Sequence, residues 1–301
     1  MPDPFSVDLH AGTCLALAPD VDGAGFLSGG DDGRLVRLAP DGTTEVLDDV
    51  PRGWFTHIAA SPRSGLRAAA AGRIVRVREV GGERLHELEH PSSVGGLTFD
   101  ASGKRLAVAH YGGATLWEWR KGRFRASRYP WQGSHTAITW SPCGKYIVTT
   151  MQENALHGWR VRDKLQLRMS GYPGKIRSLD WSAEGLFLVT AGARRAVVWS
   201  FAGKDGPMDR RPTEIGDGDD RLVRRVACHP RGPWVAVGHA DGRVQFCHLD
   251  ETVPSILAKE GGELPITALG FNSDGRFLAI GDEAGDLVWV SIDPTLLADV
   301  G

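Results

Sequence analysis

The segment AITWSPCGKYIVTT (137–150) places a period-two apolar alternation on either side of a Ser-Pro and Gly turn. The same form recurs at HIAASPRSGLRAAA (57–70), LTFDASGKRLAVA (97–109), LDWSAEGLFLVTA (179–191), VACHPRGPWVAVG (226–238) and LGFNSDGRFLAIG (269–281). A divergent copy, LALAPDVDGAGFLSG (15–29), makes seven. The turn glycines Gly23, Gly65, Gly103, Gly144, Gly185, Gly232 and Gly275 serve as a ruler and fall 38 to 47 residues apart. Alternation meeting at a Pro/Gly turn is hairpin chemistry, and a spacing near 40 is the length of a four-strand unit. A third apolar segment follows each hairpin, as in GGATLWEW (112–119) and RRAVVWSF (194–201). One sheet of such short strands cannot bury both faces, whereas radial packing of several units covers the faces and leaves only short edges. The expectation is an all-β chain of seven four-stranded antiparallel blades.

In the third segments, Trp117, Trp159 and Trp199 share one register, where Leu38, Val77, Cys247 and Val290 stand in the other copies. Asp32 and Asp241 occupy the turn six residues before that register. On these residues the chain resembles a WD40-type seven-bladed β-propeller over nearly its whole length, although the Gly-His pair that precedes the first strand in that family is mostly missing. The resemblance implies a single domain over 1–301, with the three tryptophans and two aspartates in structural roles between blades. It also implies ring closure by the N-terminus: PFSVDL alternates like a strand, so residues 5–9 are expected to complete the last blade.

Composition narrows the function classes. With 42% hydrophobic and 24% charged residues the chain reads as a globular protein, and a formal charge of -2 lacks the basic excess of a general nucleic-acid binder. The N-terminus has no basic region followed by an apolar one, and no run of 18 uncharged apolar residues occurs, so a cytoplasmic location without membrane contact is expected. Cys14, Cys143, Cys228 and Cys247 show no paired spacing, fall in different registers and read as small core residues.

Several segments suggest chemistry and are better read as turns. SGGDDGR (28–34) is glycine-rich but joins two strands without the spacing or following helix of a phosphate loop. GDGDDR (216–221) lacks the ligand order of a calcium loop. Cys228 and His229 are adjacent on a strand and point to opposite faces, which opposes a nucleophile and base pair. The insertion 203–220 is either a second contact or a solvated loop.

By resemblance, the loops entering the first strands and the turns between second and third strands share one rim. That rim collects Trp54, Phe55, His57, His110, Trp131, His135, Tyr172, Arg177 and Arg224. Aromatic residues and arginine dominate binding hot spots. The reading that follows is a non-enzymatic scaffold, monomeric on its own and without cofactor or metal, that binds a protein or peptide there. Trp131, within YPWQGSH (129–135), is either an inter-blade cap or an exposed anchor. The competing reading is a small-molecule or metal-dependent enzyme at the channel mouth that uses His57, His110 and His135. Nucleic-acid binding is disfavoured by the charge balance.

Overall fold

A computed structural model of the chain describes residues 9–39, 41–82, 84–218, 221–272, 274–283 and 287–292, without the side chains of Leu287 and Trp289. Among these residues every regular element is a strand, and no helix is long and apolar enough to cross a membrane. In chain order, β1 (Cys14–Pro19), β2 (Phe26–Gly30), β3 (Arg34–Leu38) and β4 (Thr44–Asp49) form one sheet, and β5 (Phe55–Ser61), β6 (Leu66–Ala71), β7 (Ile74–Glu79) and β8 (Leu85–Glu89) a second. Then come β9 (Val94–Phe99), β10 (Arg105–Arg120), β11 (Arg123–Trp140), β12 (Tyr146–Met151), β13 (Leu156–Arg160) and β14 (Leu165–Met169) in a six-stranded sheet. Two further four-stranded sheets hold β15 (Leu179–Trp181), β16 (Phe187–Thr190), β17 (Ala196–Ser200) and β18 (Thr213–Ile215), then β19 (Val223–Cys228), β20 (Trp234–His239), β21 (Val244–His248) and β22 (Ile256–Lys259). The last sheet has three strands, β23 (Ile266–Phe271), β24 (Phe277–Asp282) and β25 (Leu287–Ser291).

Each sheet is a meander in sequence order, and every strand pair with a recorded register is antiparallel, for example β2 with β1 and β3. Seven separate four-stranded sheets are not found; the described strands make six. The reason lies in the third and fourth copies. Strand β10 pairs with β9 through Leu106–His110 and with β11 from Tyr111 onward, and β11 pairs with β12 through His135–Trp140. Two long strands therefore each serve two hairpins and merge their sheets. The N-terminal strand expected at residues 5–9 lies outside the described residues, apart from Leu9.

Six of the seven turn glycines, all but Gly232, have φ between 66 and 78°, the left-handed conformation that costs glycine nothing. The middle strands β12 and β20 are buried along their whole length, so both faces need apolar or small residues, and YIVTTM and WVAVGH supply them. Outer strands such as β4, TEVLDD, are largely exposed and charged, which blunts a free sheet edge.

The chain divides into two compact units, Met1–Gln152 with Gly158–Leu165, and Glu153–His157 with Gln166–Gly301. In the first unit, one core packs Leu66, Ala68, Val75 and Val77 of the second copy against Val94, Leu97, Leu106 and Val108 of the third. Small residues set the spacing of neighbouring repeats: a Cβ on Gly95 would lie 2.0 Å from the carbonyl oxygen of His135. In the second unit, Val198 and Ile215 pack with Val226, Val235 and Cys247.

Candidate interaction surface

The predicted third-strand tryptophans are buried or partly buried, and each meets a side chain that lies just before a first strand or at its start. Trp117, partly buried against its core, donates its Nε1 proton to His90 Nε2 over 2.9 Å. Trp159, 1% exposed, lies with its ring 5.7 Å from that of His135. Trp199 donates to the Tyr172 hydroxyl over 2.6 Å, and Tyr172 also bonds Thr190 Oγ1 at 2.6 Å. In the first copy His10 bonds Ser28 Oγ at 2.8 Å and Asp32 Oδ1 at 3.0 Å. Asp32 also accepts from the amides of Ala11 and Arg34, and burial opposes but does not outweigh these bonds, which with His10 hold its carboxyl below the usual range. Asp241 accepts from the Arg243 amide at 3.2 Å and orders its turn.

These networks correct four of the rim assignments. Phe55 is fully buried in a core with Leu35 and Ala69 and cannot meet a partner. Tyr172 is the buried clasp on Trp199; burial pushes its hydroxyl up to about 12 against the opposing bonds from Thr190 and Trp199. His135 is buried, its Nε2 donating to the Trp131 carbonyl at 3.3 Å and its Nδ1 accepting from Thr149 at 2.7 Å. His110 is buried, its Nδ1 donating to the Tyr111 carbonyl and its Nε2 accepting from Thr115, both at 2.9 Å. Because carbonyls only accept, they fix one neutral tautomer in each ring, and burial lowers the His110 pKa against the opposing bond to the Tyr111 carbonyl. Two of the three rings that the enzyme reading uses, His110 and His135, are thus engaged inside the fold.

The remaining rim residues differ. In the first unit Trp54 is 61% exposed, just before β5. Trp131 is half-buried and packs against the core of Trp140 and Trp159, so it leans toward the cap. His57 is half-buried, its pKa lowered by burial. In the second unit Arg177 is exposed and Arg224 half-buried. Sequence reasoning missed Tyr111, 65% exposed in the middle of β10, whose amide donates to Ser92 Oγ. It sits at the turn position before a tryptophan register, where an aspartate was sought rather than an aromatic.

A second feature was invisible in the sequence. The pairing of first with second strands slips by one residue near the start of β1, β5, β9, β19 and β23, and near the start of the part of β11 that pairs with β12. The extra residue is Leu15, Thr56, Gly95, Thr136, Arg224 or Thr267 respectively. Such bulges re-aim side chains and recur beside functional sites. In the first unit, Leu15, Thr56, Gly95 and Thr136 together line a cleft of about 410 Å3 that also takes in His57 and Leu17. Its lining mixes small and aliphatic residues, and His57 is the one titratable side chain among them. Among the described residues, no cluster of three or more His, Cys, Asp or Glu side chains is arranged to hold a metal ion.

Two further expectations change. Cys228 and Cys247 are buried core residues with thiols raised chiefly by burial, but Cys14 and Cys143 are exposed. The insertion 203–220 is neither a free loop nor an extra contact throughout: Thr213–Ile215 is β18, Ile215 is buried, and Asp217 accepts from Gln245 at 2.8 Å and Ser255 at 2.6 Å.

Comparison with known proteins fits this architecture. The family model "WD domain, G-beta repeat" matches residues 163–200 and 212–247. Cilia- and flagella-associated protein 52 of Bos taurus is 25% identical over 243 residues, covering 77% of this chain and 38% of that protein. The chain thus spans well under half the length of that relative. The ribosome biogenesis protein WDR12 homolog of Drosophila sechellia is 28% identical over 127 residues, covering 40% of this chain and 30% of its own. Among solved structures, the β-propeller domain of Myceliophteria thermophila Cps50 (Swd1) superposes with TM-score 0.70 at 15% identity, covering 96% of this chain and 100% of that one. The WD40 repeats of RRP9 superpose with TM-score 0.67 at 17% identity, covering 91% and 88%.

Proposed function

We propose that this chain, a WD40-repeat β-propeller protein, is a non-enzymatic scaffold that binds another protein or a peptide through a surface carrying Trp54. The observation that carries the reading is the exposure of Trp54, 61%, in a chain whose third-strand tryptophans Trp117, Trp159 and Trp199 are held inside the fold. An indole left in water is the residue type that gains most from burial against a partner. Tyr111, 65% exposed in the same unit, adds a second anchor. The competing enzyme reading loses support because His110 and His135 are engaged at both ring nitrogens.

The proposal carries further parts. Seven repeat units in one domain over 1–301 are supported by the seven turn glycines and by the recurring first-strand bulges. A cytoplasmic, monomeric protein with no cofactor, nucleic-acid or membrane contact remains part of the reading, and the near-neutral charge supports its nucleic-acid part. Affinity capture with wild type and Trp54→Ala tests the scaffold reading: loss of a partner from the variant is expected, and unchanged capture contradicts it.

A further inference from the structure

Arg177, Arg224 and Arg225 form a concentration of positive charge in the second unit, and among the described residues no carboxylate pairs with them. Arg225 Nη1 donates to the carbonyls of Arg177 at 3.3 Å and Arg224 at 3.2 Å, and its Nε donates to the carbonyl of Thr267. Its guanidinium therefore straps together β19, β23 and the segment leading into β15, using neutral oxygens only. Arg224 is the extra residue of the β19 bulge, the one charged residue among the six bulged positions. Its Nε is buried and has no hydrogen-bond partner. Arg177 is exposed. Among the described residues, none of the three arginines forms an ion pair.

The carboxylate on the neighbouring strand is unavailable. Asp180 accepts from the amides of Cys228 and Trp181, both at 2.8 Å, while Ser178 bridges to the backbone of Val226. Burial, with the nearby charges of Arg177 and Arg224, lowers the Arg225 pKa, a sign that the like charges are close. Like charges held together without counter-ions raise the energy of the empty site, and an oxyanion relieves it. A guanidinium fork matches carboxylate and phosphate geometry.

We propose that Arg177 and Arg224, braced by Arg225, bind the oxyanion side chains of an acidic peptide segment of a partner. A peptide suits the site better than a nucleic acid, because three arginines offer few phosphate contacts on a chain of net charge -2. The inference deepens the scaffold reading and rests on it, but it concerns residues of the other unit from Trp54. The two therefore fail separately.

The test is calorimetric titration of the full chain at low ionic strength with a hexaglutamate peptide, a matched phosphoserine peptide and hexaglutamine. Wild type is expected to bind one or both anionic peptides and not hexaglutamine; the stronger of the two identifies carboxylate or phosphate as the oxyanion. Arg177→Glu, at an exposed position, and Arg224→Gln are each expected to weaken binding at least about tenfold. Their thermal midpoints separate lost binding from lost folding. Equal affinity of wild type and Arg177→Glu overturns the proposal, as does equal binding of hexaglutamine. Tighter binding of a single-stranded oligonucleotide than of either anionic peptide overturns it in favour of nucleic acid. Trp54-dependent capture that persists after such a failure leaves the scaffold reading standing.

Discussion

Trp199 and Tyr172, 27 residues apart in sequence, meet through a 2.6 Å hydrogen bond from the indole nitrogen to the phenol oxygen. The same hydroxyl meets Thr190 on the adjacent strand, so one side chain joins a loop, a second strand and a third strand. Tyr172→Phe leaves the Trp199 Nε1 and the Thr190 hydroxyl without this buried partner. The expected cost is about 1 to 3 kcal/mol, read from chemical denaturation. Trp199→Ala removes the ring as well and is expected to cost about 3 to 5 kcal/mol. A Tyr172→Phe variant as stable as wild type would show that the clasp is not energetically coupled to folding.

His90 makes stability depend on pH. Burial pushes its pKa down to about 4, with the nearby His110 acting in the same direction and the bond to the Arg73 carbonyl opposing. Its Nδ1 donates to that carbonyl and its Nε2 accepts from Trp117, so only the neutral ring satisfies both. The folded pKa lies below the unfolded one, near 6.5, and between the two values the unfolded chain binds more protons. Stability is therefore full above the unfolded pKa and falls as pH drops toward the folded one, by about 2 kcal/mol at pH 5. Thermal melts at pH 7 and pH 5 check this: the difference is expected to shrink in His90→Phe, whatever that variant's baseline.

Buried and exposed ion pairs should differ sharply. The Asp20 carboxylate is fully buried and accepts from Arg37 Nε at 2.8 Å and from Arg67 Nε at 2.7 Å, which ties the first copy to β6 of the second. Asp20→Ala strands the Arg67 guanidinium, whereas Arg37 keeps its ion pair with Asp22, and is expected to cost about 3 to 5 kcal/mol. Glu89, 65% exposed beside Arg73, is expected to lose under about 1 kcal/mol on mutation to Gln. Equal effects at both sites would refute the assignment of Asp20 as an inter-repeat tie.

The strands were legible because period-two alternation and turn glycines are local signals, and Gly65, Gly103 and Gly144 mark hairpins that the structure contains. The merging of two sheets was not, since nothing in the residues around Gly112 or Gly133 distinguishes a continuing strand from a turn. Exposure was the weakest point. Trp54 and Phe55 are neighbours in sequence, yet one is 61% exposed and the other fully buried, because strand β5 begins between them. Tyr172 and His135 read as surface groups because each precedes a first strand, while their partners lie in distant third strands. The signal that locates them is spacing: His90, His135 and Tyr172 stand 27, 24 and 27 residues before Trp117, Trp159 and Trp199. Bulged positions such as Arg224 depend on strand register, which no local pattern reports.

The scaffold reading rests on Trp54 being a contact rather than a structural residue. Affinity capture followed by quantitative mass spectrometry, on wild type and Trp54→Ala with matched thermal midpoints, addresses it directly. The account predicts a partner retained by wild type and depleted at least about tenfold by the variant, as the loss of a hot-spot aromatic implies. Identical partner profiles for two equally stable proteins would contradict it.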